Sequence, residues 1–481
     1  MEQREEQSRQ VSGLKRYGRR AIPVTGGLVL LLIAILALGP LRNAPAAGTT
    51  TTTWPTYLAN NAHTSFNGAE TAINPTTAPG LKLLWVHALK SYTNRITTQP
   101  IIANGMVYWG SWDGREHASR LSDGADVWTA NLGQTPDCRG GNLGVLSTAT
   151  IATVSIGGTS QPVDFVGGGN NNLYALNASS GAVLWQTQLG APPASFLYSS
   201  PTVYNGSVYI GVSGNDDCSR TQGQLVQVDA STGAVQHTFD VVPTGCVGGS
   251  VWTSPTINES TGILYFSTAE KSTCSQAETM ATSLIAVHAA DLSLIGSWQV
   301  PKKQQIADGD FGASPTLFQA TIGGIVHQMV GLSNKSGIYY AFDQSNVSAG
   351  PLWQVRLATA PGPSTASSAW DGQYLYVAAG PITANDTTCP GNLWKLNPAN
   401  GTALWHACLS FDARGGIVVV PGLIEVPTGT TFVIIDASNG NQLFSYQDNG
   451  KRSNFEGPGS IVNGVLYQGN TDGKLYAFAP A

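Results

Sequence analysis

LYALNASSGAVLW, from Leu173 to Trp185, decides the fold. Leucine, alanine and tyrosine alternate before Asn177, and valine, leucine and tryptophan lie within the five residues after Gly181. Two short strands of period two, joined by a turn that opens on Asn and closes on Gly, form a β-hairpin. The same unit recurs as LWKLNPANGTALW (Leu393–Trp405), as LVQVDASTGAVQH (Leu225–His237), as IIDASNGNQLF ending at Phe444 and as ASRLSDGADVW ending at Trp128. Looser copies end at Trp298 and Trp353. Ahead of the hairpins lie further strand pairs: Ser200-Pro201-Thr202-Val203 leads through Asn205-Gly206 into VYIGVSG, and Ser254-Pro255-Thr256-Ile257 and Ser314-Pro315-Thr316-Leu317 lead into similar runs. Four strands per repeat predict a β-propeller of four-stranded blades; a sandwich would not repeat one motif.

The predicted outer-strand positions are Trp85, Trp128, Trp185, His237, Trp298, Trp353, Trp405 and Phe444, which makes eight blades. The tryptophans are expected to pack between neighbouring blades. The chain ends on LYAFAPA, a third strand (Leu475–Phe478) with no fourth after it, and LKLLWVHAL near the start is a fourth strand with no blade before it. The two halves should complete one blade, closing the ring and removing the exposed sheet edge. The expected fold is an all-β, eight-bladed propeller over residues 54–481, closed by N- and C-terminal strands in one blade.

Composition narrows the function. Charged residues make up 11% of the 481, with 24 Lys+Arg against 29 Asp+Glu and a net charge of −5. So few cations exclude a nucleic-acid partner, which needs clustered Lys and Arg against phosphates. The basic residues concentrate at the start, where Arg4, Arg9, Lys15, Arg16, Arg19 and Arg20 face Glu2, Glu5 and Glu6. The uncharged run AIPVTGGLVLLLIAILALGP comes next. A basic flank before an apolar run keeps the N-terminus in the cytoplasm and exports the rest of the chain. Residues 1–20 therefore read as a cytoplasmic tail, 21–41 as a transmembrane signal-anchor or signal peptide, and 42–53 as a Thr-rich linker. A single-pass, extracytoplasmic protein is expected, with secretion after cleavage near Ala44-Pro45-Ala46 as the alternative.

Six cysteines in an exported domain predict disulfides. Cys218, Cys274 and Cys389 precede third strands, and Cys138, Cys246 and Cys408 come after fourth strands, so all six fall on one loop face. Fifteen pairings are possible. Cys389–Cys408 flanks one hairpin, Cys218–Cys246 is the analogous pair, and Cys138–Cys274 is left over.

The repeats resemble the pyrroloquinoline quinone (PQQ) repeat family. WPTYLANNAHTSFN near the start, SVWTSPTI (Ser250–Ile257), DFGASPTLF (Asp310–Phe318) and NKSGIYYAFD (Asn334–Asp343) are similar to bacterial quinoprotein dehydrogenases of the polyvinyl alcohol type. The resemblance implies PQQ over the central channel, calcium on its quinone oxygens and an aspartate as general base. It places Asp216 at a calcium-ligand and cofactor position and Lys335 where a cation faces the quinone. In blade 4 the expected Asn ligand and catalytic Asp are replaced by Lys271 and Ser283. Asp308 and Asp310 are the substitute catalytic candidates, and Glu270, with Asp216, the candidate calcium ligand.

The losses in blade 4 favour a membrane-tethered binding or scaffold module whose loop face takes a protein, glycan or small ligand. The alternative is a PQQ- and calcium-dependent alcohol or polyol dehydrogenase. Without a C-x-x-C-H haem motif, it would need an external electron acceptor.

Overall fold

The repeat folds into eight antiparallel sheets of four strands each. A computed structural model describes residues 53–91, 94–138, 140–215, 221–272, 274–359, 364–384 and 387–481. Blades 1 to 7 occupy residues 101–131, 150–188, 202–240, 256–299, 316–356, 369–409 and 418–447. Blade 8 takes Ser460–Val462, Val465–Gly469 and Lys474–Pro480 from the end of the chain. Its outer strand is Leu81–Ala88, with Trp85 opposite Ala477. The predicted closure is present. The tail 1–20, the span 21–41 and the linker to residue 52 lie outside the described residues. Among the described residues no helix is long and apolar enough to cross a membrane.

The repeat pattern has a physical cause at each blade junction. In the outer hairpins the leading Asp or Asn holds the turn: Asp229 Oδ1 accepts the backbone N–H groups of Ser231 and Thr232 at 3.0 and 2.9 Å. The glycine that ends the turn meets the tryptophan of the preceding blade. A Cβ on Gly181 would stand 2.5 Å from the Trp128 ring, and on Gly233 2.7 Å from that of Trp185. The indole N–H then donates to the carbonyl just past the third strand of the next blade, Trp128 to Ala178 at 2.9 Å and Trp185 to Ala230 at 3.0 Å. Gly and Trp are therefore one interlocking pair. Gly181 also sits at φ +71°, so Gly181→Ala combines a left-handed alanine with a clash. It is expected to cost about 3 kcal/mol, read as a lowered urea midpoint.

The Ser-Pro-Thr motifs build a second ring, around the channel. Gln99 N–H donates to Thr148 Oγ1, Thr148 N–H to Ser200 Oγ, Ser200 N–H to Ser254 Oγ, Ser254 N–H to Ser314 Oγ and Ser314 N–H to Ser367 Oγ, all at 2.9 to 3.1 Å. Two positions on, the hydroxyls of Thr150, Thr202 and Thr256 donate to the carbonyls of Pro201, Pro255 and Pro315 in the next blade, and Ser460 closes the ring onto Pro100. Blades 1 to 6, and blade 8 with blade 1, are thus tied at their inner strands as well as, where the Trp–Gly pair is present, at their outer ones.

The segment 54–67 crosses one end of the channel and touches every blade. Trp54 bridges to Ile102, and Pro55 O accepts from Ile151. Asn61 bonds Val203 and Ile257, Ala62 O accepts from Leu317, and Thr64 O accepts from Trp370. Asn67 donates to Val419 O and Ile461 O. These residues close that end of the ring.

Two disulfide pairings differ from expectation. Cys246 bonds Cys274, with Cα atoms 5.6 Å apart, which overturns both Cys218–Cys246 and Cys138–Cys274. The cause is the path between blades: the loop leaving blade 3 lies against the loop joining strands 2 and 3 of blade 4, where Gly249 N–H donates to Glu270 O at 2.8 Å and Gly248 bridges to Lys271. Adjacency across the junction wins over adjacency within the hairpin. Cys389 bonds Cys408, and Cys138 is also disulfide-bonded. Cys218 lies outside the described residues.

Candidate functional site

The loops that enter the first strands converge on the open end of the channel, around a cavity of about 490 Å³. Tyr57 reaches it from the closing segment, Tyr198, Trp252, Arg414 and Glu456 come from the entries to blades 3, 4, 7 and 8, and Trp112 comes from the strand 2–3 loop of blade 1. Burial raises the pKa of the Tyr57 phenol, against hydrogen bonds to the girdle residues Ser367 and Ser314. Two indoles carry cations: the Arg95 guanidinium stands 4.6 Å from the Trp112 ring centre and the Lys335 ammonium 5.2 Å from that of Trp252. Arg414 pairs with Asp412 at 3.1 Å and with Glu456 at 3.6 Å.

Behind Trp252 lies the principal charged cluster. Its indole N–H donates to Asp310 Oδ2 at 3.1 Å, and Lys335 Nζ stands 2.6 Å from both Asp310 Oδ1 and Asp308 Oδ1. Asp310 is buried, only 3% exposed, while Asp308 is exposed. Backbone bonds fix the arrangement: Lys335 N–H donates to Asp310 O, and the Asn334 amide donates to the carbonyls of Gly309 and Asp310. Burial raises the Asp310 carboxyl above its ordinary range, although Lys335 and Trp252 pull it down. Burial also opposes the Lys335 charge, but Asp310 and Asp308 outweigh it and leave its pKa raised. Glu270 is half-buried and accepts the Gly309 N–H at 2.7 Å; burial, and then the charges of Asp310 and Asp308, raise its pKa.

The structure thus brings together Glu270, Asp308, Asp310 and Lys335, while Asp216 lies outside the described residues. Asp310 and Lys335 meet the cavity through Trp252 and do not themselves line it. Lys271 is exposed. Ser283 is buried at the start of the third strand of blade 4, its hydroxyl donating to Ala281 O at 3.1 Å. Sequence reasoning passed over Trp112, Trp252 and Arg414. A signal was present for Trp252, which stands two residues before a girdle serine and so at the channel mouth.

The described carboxylates of the site are already engaged, which counts against the all-oxygen shell that calcium takes. Asp308 and Asp310 already hold an ammonium, and Glu270 holds a backbone N–H. The one group of metal-capable side chains close together among the described residues is Cys246, Cys274 and Glu278, two of which form a disulfide. A planar ligand fits better: the cavity is within the usual 300–1,000 Å³ for small-molecule sites, with flat indoles and the Arg414–Glu456 pair in its lining.

A closed ring of eight blades, a plugged channel and an aromatic cavity at its mouth define a PQQ-like repeat propeller. The chain belongs to the family described as outer membrane protein assembly factor BamB, which matches residues 113–279 and 334–481. The gap between these ranges contains Asp308 and Asp310. A polyvinylalcohol dehydrogenase of Sphingopyxis sp. (strain 113P3) is 24% identical over 469 residues, covering 82% of this chain and 69% of that protein. Another, from Pseudomonas sp, is 24% identical over 369 residues, covering 68% and 55%. Among solved structures, the quinohemoprotein alcohol dehydrogenase from Comamonas testosteroni has a TM-score of 0.69 at 16% identity, over 90% of this chain and 81% of that one. BamB from Moraxella catarrhalis has a TM-score of 0.53 at 16% identity, over 83% and 99%. The structural likenesses speak for the fold.

Proposed function

We propose that the protein is an extracytoplasmic, PQQ-dependent dehydrogenase of alcohols or polyols. The observation that carries this reading is Asp310: a buried carboxylate of raised pKa, held against Lys335 and the wall of the one aromatic cavity described at the channel mouth. A general base works best with a pKa near the operating pH, and burial moves Asp310 in that direction. Trp252 offers a flat face for the cofactor ring, Arg414 a cation for its carboxylates, and Lys335 a positive charge beside the ring. PQQ, when bound, supplies a two-electron acceptor. Asp310 would take the hydroxyl proton of a substrate that reaches it past Trp252, the two electrons would pass to the bound cofactor as the carbinol carbon becomes a carbonyl, and an external acceptor would remove them. The relatives of the polyvinylalcohol dehydrogenase type support the same chemistry. Calcium is left out of this reading because the described carboxylates Asp308, Asp310 and Glu270 are already engaged by Lys335 and the Gly309 N–H.

Disulfides on the loop face suit an oxidising compartment outside the cytoplasm. The reading as a membrane-tethered binding or scaffold module is favoured by one observation, the family match to an assembly factor. The two are separated by incubating the purified protein with PQQ and assaying dye reduction by ethanol and by a polyvinyl alcohol oligomer, with and without calcium. Turnover without added calcium is expected. Failure to reduce dye in all four arms would leave the binding module.

A further inference from the structure

The junction between blades 3 and 4 departs from the pattern of its neighbours. The outer strand of blade 3 carries His237 where six other blades carry tryptophan. The turn it faces in blade 4 has Leu292, at φ +55°, where other turns have glycine. Both halves of the Trp–Gly pair are changed together. At the junction of blades 1 and 2, Tyr108 and Trp128 both donate to Ala178 O; here Tyr209 alone donates to the corresponding Ala289 O, at 2.6 Å.

The missing indole leaves a cavity of about 690 Å³. It is formed by the strand 1–2 turns of both blades and the strand 3–4 turn of blade 4, so it opens on the face opposite the aromatic cavity. Tyr204, Tyr209, Gln227, Gln236, His237 and His288 line it, and no Lys, Arg, Asp or Glu does. Gln227 is 4% exposed; its amide N–H donates to Ser207 Oγ at 3.0 Å, but its carbonyl Oε1 is buried without a hydrogen-bond partner. An orphaned acceptor of this kind calls for a donor. Tyrosine rings for apolar faces, amides and imidazoles for hydroxyls, and the lack of charge describe a site for a neutral hydroxylated molecule.

We propose that this junction is a second binding site, for a neutral polyhydroxylated chain such as an oligosaccharide or a polyol. The site stands independently of the dehydrogenase reading. Its ligand lies along Tyr204 and Tyr209 and meets the Gln227 side chain, whose unpartnered acceptor gains a donor when the ligand is seated.

Isothermal titration of the full chain with cellohexaose, and in a second arm with a polyvinyl alcohol oligomer, tests the proposal and distinguishes the two sources of hydroxyls. Saturable binding of one of them is expected. The double variant His237→Trp/Leu292→Gly rebuilds the usual Trp–Gly pair and should weaken binding at least tenfold. Gln227→Met, which removes only the amide, should weaken it about tenfold should the double variant not fold. Absence of binding in both arms, or full affinity in Gln227→Met or in a folded double variant, would each overturn the proposal.

Discussion

Asp310→Asn is expected to lower PQQ-dependent alcohol oxidation at least a hundredfold, about the low end of what a positioned base contributes. The amide keeps the shape of the carboxylate and can still accept the Trp252 N–H, now 3.1 Å away. What it cannot do is take a proton. Lys335 retains Asp308 as a partner at 2.6 Å, so the ammonium is not left alone, and PQQ retention should change far less than turnover. The wild-type rate should rise with pH along a limb above the ordinary carboxylate range, because burial holds the Asp310 proton more tightly than water would. In Asp310→Asn that limb should vanish from the residual activity. An unchanged rate would move the base elsewhere.

Stability should fall as the medium turns alkaline, and Glu425 is the clearest cause. It is fully buried in blade 7, the Gly459 backbone N–H is too poorly placed to satisfy either oxygen, and burial pushes its pKa up to about 8 against the small opposing pull of that N–H. The folded chain therefore keeps a proton that the unfolded chain releases near pH 4.5. A raised carboxyl pKa leaves stability intact below about pH 4.5 and removes it as pH rises to 8. At pH 7 the difference is about 3 kcal/mol for this one group. Glu116 and Asp164, both buried without partners, are raised by burial too, and the charge of Asp164 raises Glu116 further. On the acid side, burial lowers His63 to about 3, so the unfolded chain gains a proton below pH 6.5 that the folded chain refuses. Stability should peak between these limits. Glu425→Gln is expected to raise the unfolding free energy by about 4 kcal/mol at pH 8 and to change little at pH 4, measured by urea denaturation. Equal effects at both pH values would show that the carboxyl is not protonated in the fold.

The ring was legible because its cause is local. Asn177, Gly181 and Trp185 lie within one hairpin, and the tryptophan that fills the next blade's turn recurs often enough to be counted. The closing blade could be inferred from the unmatched strands at the two ends. The site was only half legible. Lys335 and Asp310 are 25 positions apart in the chain, and Glu270 is 40 before Asp310, yet they meet because the strand 2–3 loop of blade 4 lies beside the entry to blade 5. Loop reasoning could put them on one face but not into one cluster. Ser283 lies apart from that cluster, buried in the sheet with its hydroxyl donating to the Ala281 carbonyl. The same blindness to contacts across junctions produced the wrong partner for Cys246. Trp252 is part of a motif visible in the sequence, but its role appears only once the serines beside it are seen to form a ring.

The central claim is that the cavity behind Tyr57, Trp112 and Trp252 holds PQQ. Its most direct measurement is the quinone absorbance that remains with the protein after PQQ loading and gel filtration, compared with that of Trp252→Ala. Near one equivalent on the wild-type chain, and at least a tenfold loss of affinity in the variant, is the expected result; wild-type protein that emerges without quinone absorbance at saturating PQQ would contradict the account.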